Sequence, residues 1–215
     1  TNETITLSNP TLTNSFTGAF TLRSTGSNAH VTIDNGTTAI VITSASVGGN
    51  LTLTSGAAAG ITDSGMVTVG GNLVATTDLN NGVIDMGTLA VTGTVALETH
   101  GTGNATIVND AGLVFATSTI GGNLIATANT LNIADSGTLT VTGATNIYLG
   151  TNPILTVSGA TSATDIWDNT IILNISVFTG GITLHYENVL PPDNSDIDLA
   201  RQVTFAELDF AIDQN

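Results

Sequence analysis

The carboxylates are the first candidates for chemistry. Asp34, Asp63, Asp85, Asp110 and Asp135 each stand two residues before a glycine, as in Asp63-Ser64-Gly65 and Asp135-Ser136-Gly137. Brought into one row, such carboxylates would share a cation or supply the acid and base of a polysaccharide-cleaving site. The glycine at i+2 argues for a quieter use, in which the Asp side chain closes a turn on backbone N–H groups. There is no Lys, and the only Arg residues are Arg23 and Arg201, so the basic groups that hold an anionic sugar are scarce. The five are therefore read as turn carboxylates. No catalytic residue, metal or cofactor is expected.

Four other groups carry a chemical suggestion. Asp193, Asp196 and Asp198 offer the hard oxygens that calcium takes, but the EF-hand spacing fails, with no Gly at the sixth place and Thr204 at the twelfth. His30, His100 and His185 lie far apart and form no ligand motif. Thr-x-Thr pairs recur, as at Thr52–Thr54 and Thr138–Thr140, yet the block Gly71–Thr92 lacks one, so a flat ice-binding array is not expected. Asn2, Asn35, Asn50, Asn104 and Asn174 open N-x-[ST] sequons, which carry little weight in a chain so rich in Asn and Thr.

Composition narrows the partners. Only 9% of the 215 residues are charged, against about 25% in ordinary soluble domains, and the net charge is -15. That balance excludes nucleic acid and an anionic membrane surface as natural partners. With 41% hydrophobic residues in alternation with polar ones, it is also not an acidic disordered tail. No Cys is present, and no apolar run approaches the roughly 18 residues of a membrane span. The chain opens on Thr rather than Met, which reads as processed or excised, and the composition hints at an exported surface protein.

The elements that must position these groups come from a repeat. Gly49–Gly70 aligns without a gap on Gly71–Thr92, and Gly-Gly-Asn-Leu recurs at Gly48–Leu51, Gly70–Leu73 and Gly121–Leu124. A period of 20–30 residues marks a repeat architecture. Apolar residues alternate within each block (Leu51, Leu53; Val67, Val69; Leu139, Val141), with Thr mostly between them, which is the strand period. Two or three short strands per block make one coil of a β-solenoid. The fold class expected is thus all-β, a parallel β-helix with coils of about 22 residues. Six or seven coils would give a rod roughly 30 Å long. Asn50, Asn72 and Asn123 are predicted to stack at one corner as a structural ladder. The block from Gly93 is longer, and its surplus is expected to bulge around Thr99–Gly103.

The repeat fades after about Ser162, giving a solenoid over 1–162 and a non-repeating β module over 163–215 that caps or docks. Residues 171–189 read as a hairpin turning at Thr179-Gly180-Gly181. Nine of the 17 acidic residues lie between Asp165 and Asp213. The segment 199–213 fits either a strand or a helix; as a strand, Val203, Phe205, Leu208, Phe210 and Ile212 are candidates for docking another subunit. Thr1–Thr25 would be the complementary end.

At the Gly-Gly-Asn-Leu motifs and in "ITDSGMVTVGG" and "IADSGTLTVTG", over about Gly18–Ala160, the chain resembles the repeats of filamentous-haemagglutinin-like, two-partner-secreted bacterial exoproteins. That resemblance implies a right-handed parallel β-helix, export to the cell surface, and adhesion or biofilm scaffolding. It supplies no catalytic residues. Members are far longer, so this chain is either a fragment or a subunit that builds length by assembling. The expectation is a non-enzymatic extracellular rod whose partner is itself or neighbouring repeats, with surface glycans as a further possible partner. The alternative is a carbohydrate-active or carbohydrate-binding β-helix.

Overall fold

A computed structural model of the chain describes residues 2–8, 13–130 and 133–151, and the backbone of Leu155–Val157, Ile171–Ile175 and His185–Tyr186. Among the described residues every regular element is a β-strand. All the strand pairs are parallel, and they form two sheets. The first sheet runs from Ile5–Leu7 to His185–Tyr186, the second from Phe20–Ser24 to Ile171–Ile175. The chain alternates between them, one strand or broken strand on each face per coil. The result is a β-solenoid of about six turns.

The register fixes the coil. On the first face Val31, Leu51, Leu73 and Val95 stand in one column. On the second, Ile40, Ile61, Ile84, Ala105, Leu124 and Thr145 do the same. Alternate residues point inward, so Leu53, Ala75 and Leu97 make a further column of the first face, and all these aliphatic side chains are buried. Each Leu or Ile removed from water in this way stabilises the fold by about 1.5–3 kcal/mol. The outward positions are mostly Thr, Ser and Ala, which pack along a pleated face without needing charge.

Two expectations are corrected here. The long third block makes no excursion at Thr99–Gly103: Thr102 bonds to Asn81, 21 residues earlier, as a neighbour in the coil below, and the register shift beside it puts the extra residues on the lower strand, between Thr76 and Asn80. Gly103 then follows Gly93 by half a coil, and Gly122 stacks on Gly103 one full coil later. The block is long because its closing Gly121-Gly122-Asn123 sits at the opposite corner from its opening Gly93. Nor do residues 171–189 form a hairpin. Ile171–Ile175 pairs in parallel with Thr145–Thr151 on the second sheet, and His185–Tyr186 with Leu155–Val157 on the first. Short alternating segments serve a hairpin or a further coil equally well, and the open edges of the preceding parallel strands select the coil. Stacking therefore continues past residue 162. The module expected over 163–215 is described at those two strands only.

Candidate functional site

The groups that might do chemistry meet at the corners and on the faces of the coils. At the corner before the first-face strands, the side-chain oxygen of Asn50 accepts the backbone N–H of Asn72 at 2.9 Å, and Asn72 accepts that of Thr94 at 2.9 Å. The ladder is real, but it runs from amide oxygen to main chain rather than from amide to amide. Asn123 is not part of it. It stands at the opposite corner, where Asn104 accepts the N–H of Asn123 and Asn123 that of Ala144, both at 2.8 Å. The single stack expected of Asn50, Asn72 and Asn123 is thus two ladders on two corners. The corners are alike in shape, and the tetrapeptide suits either.

The glycines in the motif follow from the same bonds. A Cβ on Gly71 would overlap the side-chain oxygen of Asn50, and one on Gly122 that of Asn104. Glycine is needed because the amide of the coil below occupies the space where a side chain would begin. Asn81 adds a rung that no motif announces. It sits at φ 65, a left-handed conformation that Asn tolerates, and its side-chain oxygen accepts both the N–H and the hydroxyl of Thr102 at 2.8 and 2.7 Å.

The five Asp-x-Gly triplets do not superpose. Asp34 and Asp110 lie at corners, ending Val31–Asp34 and following Ala105–Asn109. Asp63 and Asp135 lie at kinks that break a strand in mid-face, between Ile61–Asp63 and Val67–Val69 and between Ile133–Asp135 and Leu139–Val141. Asp85 is inside the unbroken strand Ile84–Val91, exposed and paired with Thr62, so it does not stand over Asp63. One extra residue in the corner between Thr77 and Ile84 makes the offset there 23 and separates them, and the kink after Asp63 brings it back to 22. Asp34 makes the bond to the i+2 amide, to Gly36 N at 2.9 Å. Asp63 instead clamps the next coil, accepting from Gly87 N at 2.8 Å, Thr88 N at 3.0 Å and the Thr88 hydroxyl at 2.9 Å. Asp110 accepts from the Asn129 amide at 3.2 Å.

Sequence reasoning missed the buried polar groups. Asn35, Ser55, Thr77 and Thr99 form an inward column at one corner, each at most 2% exposed. Each bonds to the backbone carbonyl of a corner turn: Asn35 to Ala39, Ser55 to Thr38, Thr77 to Gly82 and Thr99 to Gly103. Asn35 and Asn109 go further and pair with both backbone groups of Phe16 and Val91. A buried amide must find such partners, and here it mimics a peptide unit of the missing strand. Asn35 is accordingly closed to glycosylation. The available signal was the recurrence of a polar residue in the inward phase of a strand's last position.

Among the described residues no three His, Asp or Glu side chains gather. The candidate docking residues Val203, Phe205, Leu208, Phe210 and Ile212, and the acidic loop Asp193–Asp198, lie outside the described residues. The fold and these corner bonds define a β-helix repeat protein. A family model described as repeats of unknown function (DUF5649) matches residues 102–185, beginning at the corner where the second Asn ladder starts and ending in the last described strand. No curated protein and no solved structure matches the chain. What stands of the expected resemblance is the β-helix repeat architecture, and nothing in these comparisons points to haemagglutinin-type repeats in particular.

Proposed function

We propose that this chain is an extracellular structural protein, a stiff β-solenoid segment that serves as an adhesin stalk or as the subunit of a surface fibre, and that it is not an enzyme. The observation that carries this reading is where the polar chemistry goes. The ladder amides, the Asp63 carboxylate and the buried hydroxyl column all bond one coil to another or close a corner. They hold the rod together and leave little aimed at a substrate.

The half-coil slip between Gly93 and Gly103 supports the same reading. Below it the Asn ladder edges the first face, above it the second, so neither face carries one motif along the whole rod. A surface reader of an extended glycan would keep its motif on one face. A spacer has no such need. The partner proposed is a further solenoid coil, in a longer chain or in a second copy, stacked on an open end. Among the described residues both sheets finish on an edge strand at each end, Ile5–Leu7 and Phe20–Ser24 at one and His185–Tyr186 and Ile171–Ile175 at the other. Such edges recruit strands, and a head-to-tail contact of this kind does not close on itself.

Electron microscopy of the purified chain tests the proposal. Short rods of uniform length, or serial fibres of the same width, are the expected images, and fibres would select the subunit over the fragment. Fibres whose strands do not repeat at about 4.8 Å along the axis would refute it.

A further inference from the structure

We propose that His30 makes the first rung of the corner ladder an acid-sensitive joint. In the ladder through Asn50, Asn72 and Thr94, each acceptor is an amide oxygen except the first. There the backbone N–H of Asn50 donates to Nδ1 of His30 at 2.9 Å. An amide oxygen keeps its lone pairs at any physiological pH. An imidazole nitrogen does not. To accept at Nδ1 the ring must be neutral with its hydrogen on Nε2. Protonation turns Nδ1 into a second donor facing the Asn50 N–H, and the rung is lost.

The position of this rung gives its loss a consequence. The His30 carbonyl accepts the N–H of Ile5 at 2.9 Å, so one residue ties the end strand Ile5–Leu7 below to Asn50 above. The ring also lies against the Cα of Gly49, where a Cβ would sit 2.6 Å from Nδ1. His100 is built the opposite way. Its Nδ1 meets the Thr77 carbonyl at 2.6 Å and its Nε2 lies 3.6 Å from Glu98, so both nitrogens face acceptors.

The charged groups on the segments packed around His30 are Glu3 ahead of the end strand, Arg23 on Phe20–Ser24 and Asp34 at the far end of its own strand. The coil above, Gly48–Ser55, has none. Of this set the imidazole is the group that touches the rung. The closed corner has no place for a proton at Nδ1 and the opened one does. The opened state therefore binds more protons, and the joint strengthens as pH rises.

Amide hydrogen exchange of the whole chain, corrected for the intrinsic effect of pH, tests this. Asn50 N–H should lose about tenfold in protection between about pH 7.5 and pH 5.5, while Asn72 N–H, held by an amide, keeps its own. In His30→Asn the loss at Asn50 should vanish. Constant protection at Asn50 in the parent chain, or an equal loss at Asn50 and Asn72, would overturn the proposal. So would the same loss in His30→Asn. Should that variant not fold, the comparison of the two amides within the parent molecule decides alone.

Discussion

At the scale of single residues, the molecule is governed by what one coil leaves for the next. Asn50 and Gly71 are one device: the amide oxygen of the lower coil fills the volume that a side chain on the upper residue would take. Gly71→Ala should therefore cost about 1–3 kcal/mol by forcing an overlap with the Asn50 amide oxygen. Asn50→Ala should cost about 1 kcal/mol through the unpaired Asn72 N–H. Because both act on one space, the double variant should cost clearly less than the sum, which denaturant unfolding of the four chains would show. Additive values would mean the two are independent. The carboxylates divide in the same way. Asp63→Ala removes three bonds to the next coil and should lower stability by about 1–2 kcal/mol, whereas Asp85→Ala, on an exposed strand position, should stay within about 0.5 kcal/mol. The triplet motif alone does not tell these two apart. Asp63 and Asp85 share a sequence context, and only the register between their coils decides which one has a partner.

At the scale of elements, alternation was enough to place the strands, and the Gly-Asn markers enough to place corners. It was not enough to say which corner. Asn50 and Asn72 are 22 residues apart and stack; Asn72 and Asn123 are 51 apart, which is not a whole number of coils, and they do not. The spacing contained that information, but reading it requires a coil length known to better than the scatter caused by kinks and corner turns. Steps such as Ala105 to Leu124 and Ile61 to Ile84, 19 and 23 residues, set that scatter. The buried column of Asn35, Ser55, Thr77 and Thr99 was less legible still, because polar residues at strand ends ordinarily read as turn formers. A prediction belongs to this scale. Residues Leu51–Asn72 make one full coil in register, with Leu51 under Leu73. Their deletion joins Asn50 to Leu73 and should leave a cooperatively folding, strand-rich protein by circular dichroism. Deleting only Leu51–Val67 puts an inward column out of phase and should abolish the cooperative transition. Equal outcomes for the two deletions would count against coil-by-coil stacking.

At the scale of the whole molecule, the same physics that stacks coils inside the chain acts at its ends. The strand Ile5–Leu7 is bonded on one side only among the described residues. Ile5 gives its N–H to His30 and stands opposite Val31, so in a parallel ladder Ile5 and Leu7 bond inward and Thr6 turns its N–H and C=O to the open edge. Half of a new ladder is already in place there, with Ile5, Leu7 and Phe20 only partly covered beside it. Thr6→Pro removes the outward donor and leaves the inward bonds of its neighbours, because proline is tolerated on an edge whose N–H faces away from the sheet. The variant should keep the parent's thermal unfolding temperature within a few degrees and lose end-to-end growth, seen as fibres shortening to single rods in the microscope. If fibres form and Thr6→Pro leaves their length unchanged, this edge is not the growing one. Loss of growth with the melting temperature preserved would place assembly at the backbone of one strand.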